Sequence, residues 1–177
     1  GLLRYRRVSD CSAALGIFFV LKKDGVSQRI IFDTRVLNCD FQKPPRTDLA
    51  TAAAIGRIET LDQSELFVAS ADVSNAFYGM EVPDDLGQRF TLEPCQARFC
   101  GAIFADGTTP AADEVVQPYL CVLPMGWNWA LHLCQAAVAH SVSAVIGDAR
   151  FVGDRSASLC LSGPSAADRG CSEHAFA

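Results

Sequence analysis

The stretch SADVSNAFY at residues 70–78, together with LPMGW at 123–127, decides the predicted fold. The first stretch follows the apolar, strand-like run LFVA, so Asp72 comes at a strand end, five positions before Phe77. A carboxylate at the end of a strand is a natural Mg²⁺ ligand for phosphoryl chemistry. The second stretch is a Pro-x-Gly turn before a helix-like segment, and such a turn brings backbone close to a flat ligand such as a nucleotide base.

Length and composition fit a domain with a real core, since half of the 177 residues are hydrophobic and 20% are charged. No apolar run approaches the roughly 18 residues that a membrane span needs, so we expect no membrane partner. The eight cysteines contain no C-x2-C pair, which argues against a zinc signature. With no credible secretory signal, the sequence predicts reduced thiols and an intracellular location, in the cytoplasm or nucleus.

Charge is distributed unevenly along the chain. Residues 1–46 carry nine Lys or Arg against four Asp, whereas the remainder carries six against sixteen acidic residues. A basic N-terminal part can face phosphates, and an acidic remainder can hold metal. Ordinary scatter of surface charge is an equally good explanation of the asymmetry by itself.

The hydrophobic pattern predicts an α+β fold. An Asp24-Gly25 turn between two apolar runs indicates a hairpin, and Thr47 or Asp48 can cap a helix that runs to about Glu59. The other predicted elements are strands at 66–70, 89–92 and 119–123, a helix from Trp127 to about Val145, and a hairpin of 151–154 with 158–161.

The segment DVSNAF at 72–77 resembles the first catalytic motif of retrotransposon and retroviral reverse transcriptases. The resemblance implies that Asp72 is catalytic and binds Mg²⁺, with help from the Val73 carbonyl. It also implies that Phe77 packs under the sugar of a bound dNTP. Without the resemblance, Asp72 is better explained as a cap or turn residue, and Phe77 as a core residue.

The hairpin region is similar to the fingers hairpin of the same family. The matching residues are KKDG at 22–25, followed by Arg29, Asp33, Arg35 and LN at 37–38. The resemblance implies that Lys22 and Arg29 hold the triphosphate of the dNTP. A solvated hairpin with ordinary surface charges is the alternative. We expect Asp33 and Arg35 to pair structurally.

The segment LPMGW, followed by Gln135, resembles the second palm motif, which implies that Met125 and Gly126 approach the incoming nucleotide. NWAL at 128–131 departs from the family pattern. The third motif, an aromatic-x-Asp-Asp hairpin, is not evident, because FVGD at 151–154 has Gly153 where the family has its first metal-binding Asp. Asp154 is therefore a poor substitute as a metal ligand.

These observations predict a fragment of an RNA-directed DNA polymerase, with a DNA/RNA polymerase-like fold in which an antiparallel palm sheet packs on helices. The predicted regions are a fingers-like hairpin region at 1–46, a partial palm at 47–161 and a loose tail at 162–177. Mg²⁺, dNTPs and an RNA or DNA template–primer are the implied partners. The thumb and the third palm motif are absent from this chain, either because the chain stops short of them or because the copy has decayed. A noncatalytic nucleic-acid-binding module or a decayed relic is the alternative. A small metal-dependent phosphohydrolase has only Asp72 in its favour.

Overall fold

The computed structural model describes residues 1–8, 14–60, 72–146 and 159–161. The chain divides into two compact units, one of residues 1–46 with 73–141 and one of residues 47–72 with 142–177. Small sheets and helices make up the described residues, in agreement with the α+β class. Within these residues, no helix combines the length and the apolar character that a membrane crossing needs.

Seven strands and three α-helices are formed by the described residues. In chain order they are β1 (Leu3–Arg7), β2 (Gly16–Leu21), β3 (Gln28–Asp33), α1 (Ala52–Ile55), β4 (Ile58–Thr60), α2 (Asp84–Gly87), β5 (Cys95–Gln96), β6 (Val115–Leu120), α3 (Ala130–Ile146) and β7 (Leu159–Leu161). Short 3₁₀ turns cover Leu37–Asp40, Ala76–Gly79 and Ala97–Phe99.

The first unit contains two sheets. β2 and β3 form an antiparallel hairpin in which Val20 lies opposite Arg29, which confirms the predicted hairpin. β6 lies between β1 and β5 and pairs antiparallel with both. β1, which places three arginines on a strand beside β6, was not predicted from the sequence.

Two clusters of buried side chains hold the first unit together. The main cluster consists of Leu15, Phe32, Val82, Phe90, Leu92, Leu120, Leu123, Trp127 and Ala130. The minor cluster consists of Ala97, Ala102, Phe104 and Val116, with Tyr5, Cys95 and Cys100 packed against it. The main cluster therefore contains residues from the hairpin, from β6 and from the Pro-x-Gly turn.

The helix predicted from residue 47 or 48 to about 59 is wrong. Only the single turn of α1 forms, and its N-cap is Thr51, whose hydroxyl accepts a hydrogen bond from the Ala54 N–H at 3.2 Å. Glycine disfavours a helix interior, and Gly56 ends this one. The chain then enters β4, which pairs in parallel with β7 in the second unit.

The strand predicted at 89–92 is also wrong, because only Thr91 forms a bridge, opposite Tyr119. On one side the ladder stops at Pro118, which has no N–H to donate to the next carbonyl. On the other side the Phe90 N–H is already bonded to the Gly87 carbonyl at 2.8 Å. The segment therefore packs on β6 without becoming a strand of its sheet.

The other element predictions have mixed outcomes. The strand predicted at 119–123 is β6, which lies earlier, at Val115–Leu120, and the helix predicted from Trp127 is α3, which begins three residues later. β7 lies within the predicted 158–161 strand. The strand predicted at 66–70 and the segment 151–154 lie outside the described residues.

Candidate functional site

The tip of the β2–β3 hairpin forms a basic cavity. Lys22, Lys23 and Arg29 line it together with Asp24 and with Val20 and Leu21, around a volume of about 480 Å³. Hairpin pairing brings Lys22 near Arg29, because the Lys22 N–H donates to the Ser27 carbonyl at 2.7 Å. Three cations against one carboxylate give the cavity a net positive charge that suits a phosphate group.

Asp24 shapes the loop at this tip. Its Oδ1 accepts hydrogen bonds from the backbone N–H groups of Val26 at 3.0 Å and Ser27 at 2.9 Å. The Ser27 side chain first, and then these two N–H groups, lower the pKa of Asp24 to about 2. Gly25 adopts φ +70° beside it, a conformation that glycine takes without strain. The Asp24 carboxylate is thus ionised at neutral pH and committed to holding the loop.

Asp33 and Arg35 pair as the sequence analysis predicted. The Arg35 guanidinium donates to both carboxylate oxygens, from Nε at 2.9 Å and from Nη2 at 2.6 Å. The Arg35 side chain and then its backbone N–H lower the pKa of Asp33 to about 2. This bidentate pair fixes the chain where it leaves β3, just before the 3₁₀ turn that contains Asn38.

The Pro-x-Gly turn lies directly against the end of the hairpin. Gly126 has φ +110°, and a Cβ atom there would lie 3.0 Å from Thr34 Oγ1 and 3.4 Å from the Phe32 carbonyl oxygen. Thr34 is buried, so it has little room to move away. Next to the glycine, Met125 is 43% exposed, whereas Trp127 is buried edge-on against Phe41 and Phe90. Only glycine fits this approach without strain.

Asn38 connects the two motif segments, a contact that the sequence analysis did not predict. Its side-chain Nδ2 donates to the Gly126 carbonyl at 3.1 Å, and its Oδ1 accepts from the Asn128 N–H at 2.9 Å. Trp129 Nε1 adds a bond of 2.7 Å to the Gln42 carbonyl. The run that carries the fingers resemblance therefore holds both sides of the turn that carries the palm resemblance.

Asn38→Ala is expected to lower the free energy of unfolding of the first unit by about 1–2 kcal/mol, because the side-chain hydrogen bonds with Gly126, Asn128 and Thr34 are lost. Urea unfolding followed by tryptophan fluorescence measures this, since both tryptophans of the chain belong to the first unit. Gln42→Ala is the matched control, because Gln42 contacts Trp129 through its backbone carbonyl. Equal losses in the two variants would contradict the role given to Asn38.

Phe77 lies in the 3₁₀ turn after the first motif. Its half-buried ring packs against the main cluster, as expected of a core residue, and its contact with the sugar of a dNTP stays a prediction. Asn75 before it has φ +52°, and its carbonyl accepts from the N–H groups of Tyr78 and Gly79. Asparagine tolerates the left-handed conformation better than most residues, which explains its place between Asp72 and Phe77.

Asp72 and Val73, the predicted metal ligands of the first motif, fall in different units of the chain. Asp72 is exposed and belongs to the second unit, and Val73, 60% exposed, belongs to the first. Asp154 lies outside the described residues. In the part of the chain that the structure describes, no three His, Cys, Asp or Glu side chains gather into a group that could hold a metal ion. The structure thus brings Lys22 to Arg29 and Gly126 to Asn38, and it leaves the metal assignments as predictions.

A second cavity lies between β1 and α2, with a volume of about 340 Å³. Asp84 is one of its lining residues and accepts hydrogen bonds from Tyr119 Oη at 2.8 Å, Gln88 Nε2 at 2.7 Å and Arg4 Nη1 at 3.1 Å. The Tyr119 hydroxyl is the largest cause of the lowered pKa of Asp84, whereas burial and then Asp84 raise the pKa of Tyr119 to about 12. These groups satisfy one another, so the cluster anchors β1.

A comparison of the chain with protein-family models and with curated proteins found no match.

Proposed function

We propose that the chain is the fingers and partial palm of a reverse transcriptase, which transfers a dNMP from a dNTP to a primer 3′-OH under the direction of a template. The observation that carries the proposal is the Asn38 contact. Asn38 contacts residues that lie 88 and 90 positions further along the chain. The segment that contains Asn38 and the segment that it contacts each resemble a motif of the same family. A shared enzyme family explains why residues so far apart in the chain carry both resemblances and also touch.

The cations at the hairpin tip support this role. Lys22 and Arg29 would neutralise the triphosphate, and a net positive cavity provides the charge for that interaction. Half-buried Phe77 would offer its ring to the sugar, and the Met125–Gly126 turn would offer backbone to the edge of the base pair. Met125 in this turn is 43% exposed, so a ligand can reach the turn at that residue.

Asp72 is the residue that would hold Mg²⁺. Its carboxylate is exposed, and Mg²⁺ is usually held through one or two carboxylates together with the phosphates of the substrate. When bound, the metal would neutralise the charge that develops on the transferred phosphoryl group. The Val73 carbonyl is a second hard oxygen donor next to it in the chain.

The first test is whether a dNTP is bound together with a template–primer duplex. We expect a complementary dNTP with Mg²⁺ to tighten binding to a duplex with a terminated primer, and a non-complementary dNTP to have no effect. Lys22→Ala and Arg29→Ala are expected to remove the effect of the complementary dNTP. If the substituted residue also contacts a phosphate of the duplex, the slope of log affinity against log salt should fall by about 1. Fluorescence anisotropy of the labelled duplex gives both quantities.

Lys43→Ala is the matched control, because Lys43 is an exposed lysine of the same unit that does not line the cavity. Salt-dependent binding that ignores base complementarity would replace the polymerase proposal with a nucleic-acid-binding module. The cluster of cations at the hairpin tip favours that second function. Absence of any duplex binding would favour a relic.

The second test is primer extension by the purified chain. We expect none above the level of Asp72→Ala, because Gly153 occupies the position of the first Asp of the third motif and two-metal chemistry needs more than one carboxylate. Mg²⁺-dependent extension that Asp72→Ala abolishes would show that another carboxylate completes the site.

A further inference from the structure

Two cysteines of the minor cluster lie side by side. Cys95 is in β5, paired with Val116 of β6, and Cys100 follows the 3₁₀ turn Ala97–Phe99. That turn folds the chain back, since the Cys100 N–H donates to the Ala97 carbonyl at 3.1 Å. Both side chains are half-buried and pack against the same cluster.

The sulfur atom of Cys100 lies close to the backbone of this turn. Cys100 Sγ lies 3.6 Å from the Ala97 carbonyl oxygen and 3.9 Å from that of Gln96, the residue next to Cys95. Both cysteines pack against the same buried residues of the minor cluster. A disulfide needs Cα atoms roughly 4–7 Å apart, and a chain that folds back between two cysteines can bring them to that separation. The Tyr5 hydroxyl of β1 donates to the Cys100 carbonyl at 3.2 Å, so the pair lies beside the N-terminal strand.

We propose that Cys95 and Cys100 form a reversible disulfide when the chain meets a disulfide oxidant such as oxidised glutathione. One cysteine thiolate attacks a glutathione sulfur, a mixed disulfide forms and one reduced glutathione leaves. The second cysteine thiolate then displaces the other glutathione, and the Sγ–Sγ bond forms. Two protein thiols are oxidised, one glutathione disulfide is reduced to two thiols, and the two thiol protons end on glutathione. This inference does not rest on the proposed polymerase role.

The order of the two steps follows from burial. Burial and then the neighbouring Cys100 thiol raise the pKa of Cys95, so Cys95 supplies less of the reactive thiolate. Cys100 therefore attacks first and Cys95 resolves the mixed disulfide. Cys95→Ser should accordingly accumulate glutathione on Cys100, whereas Cys100→Ser should accumulate less on Cys95.

The chain sequence makes the product easy to map. Trypsin cleaves after Arg98, between the two cysteines, and an Asp-specific protease then cleaves before Asp106. Cys95 is thus carried by the peptide 90–98 and Cys100 by 99–105, and each contains a single cysteine. Mass spectrometry of the wild-type chain after equilibration with oxidised and reduced glutathione is expected to show these two peptides linked, and reduction is expected to separate them.

Controls distinguish a pair positioned by the fold from two cysteines that are merely close in sequence. The link should disappear in Cys100→Ser and persist in Cys39→Ser, which removes an exposed cysteine near the Arg35 carbonyl. The equilibrium with glutathione should favour the disulfide roughly tenfold more in the native chain than in urea. Equal equilibria, a link from Cys95 to another cysteine, or only separate glutathione adducts would overturn the proposal.

Discussion

Gly126→Ala is expected to lower the free energy of unfolding of the first unit by about 2–4 kcal/mol. A residue with a Cβ atom is strained at φ +110°, and the new methyl group would lie 3.0 Å from Thr34 Oγ1. Thr34 is 3% exposed, so its side chain cannot swing into solvent to make room. Urea unfolding followed by tryptophan fluorescence measures the loss at the turn itself, because Trp127 is the next residue.

Gly25→Ala separates backbone strain from overlap. Gly25 has φ +70°, but a Cβ atom there would meet nothing within 4 Å. Gly25→Ala should therefore lower the free energy of unfolding only by the cost of the left-handed conformation, about 1–2 kcal/mol. If Gly126→Ala lost no more than Gly25→Ala, the close approach between the turn and Thr34 would not contribute to stability.

Features determined by neighbouring residues were predictable from the sequence. The β2–β3 hairpin depends on the Asp24-Gly25 turn, where the carboxylate and the positive φ act within a few residues. The Asp33–Arg35 pair likewise joins residues two positions apart. The long apolar pattern of α3 predicted a helix of nearly the right length, although the turn at Trp127–Ala130 delays its start.

Features that depend on distant partners were not predictable. Nothing in the run at 89–92 reveals that Pro118, far along the chain, supplies no N–H to extend the ladder. The basic segment that forms β1 lacks a clear strand pattern and is stabilised by Asp84, 80 residues away from Arg4. Whether a segment forms a strand or a helix is decided by such partners as much as by the local sequence.

The contacts of the candidate site were likewise predictable only where they are local in the chain. Lys22 and Arg29 could be paired from the hairpin alone, and both line its cavity. The role of Asn38 could not, because its hydrogen bonds reach Gly126 and Asn128. The sequence did contain a signal, since LN at 37–38 is part of the run that resembles the fingers. The resemblance singles out Asn38, but it does not indicate which residues Asn38 contacts.

Phe90→Ala is expected to lower the free energy of unfolding of the first unit by about 3–5 kcal/mol, more than Gly126→Ala does. Phe90 is fully buried, and its ring meets the Trp127 ring edge-on at a centroid distance of 5.1 Å. Truncation removes apolar contacts, leaves a cavity in the main cluster and deletes the aromatic pair. The urea midpoint by tryptophan fluorescence measures the loss.

Phe99→Ala is the matched control, since the same atoms are removed from a side chain that is 73% exposed, and it should cost well under 1 kcal/mol. The double variant of Phe90→Ala with Gly126→Ala then tests whether the main cluster and the turn act together. Both substitutions loosen the surroundings of Trp127, so the double variant should lose less stability than the sum of the single losses. Strict additivity would mean that the packing of Phe90 on Trp127 and the close approach of Gly126 to Thr34 stabilise the unit independently.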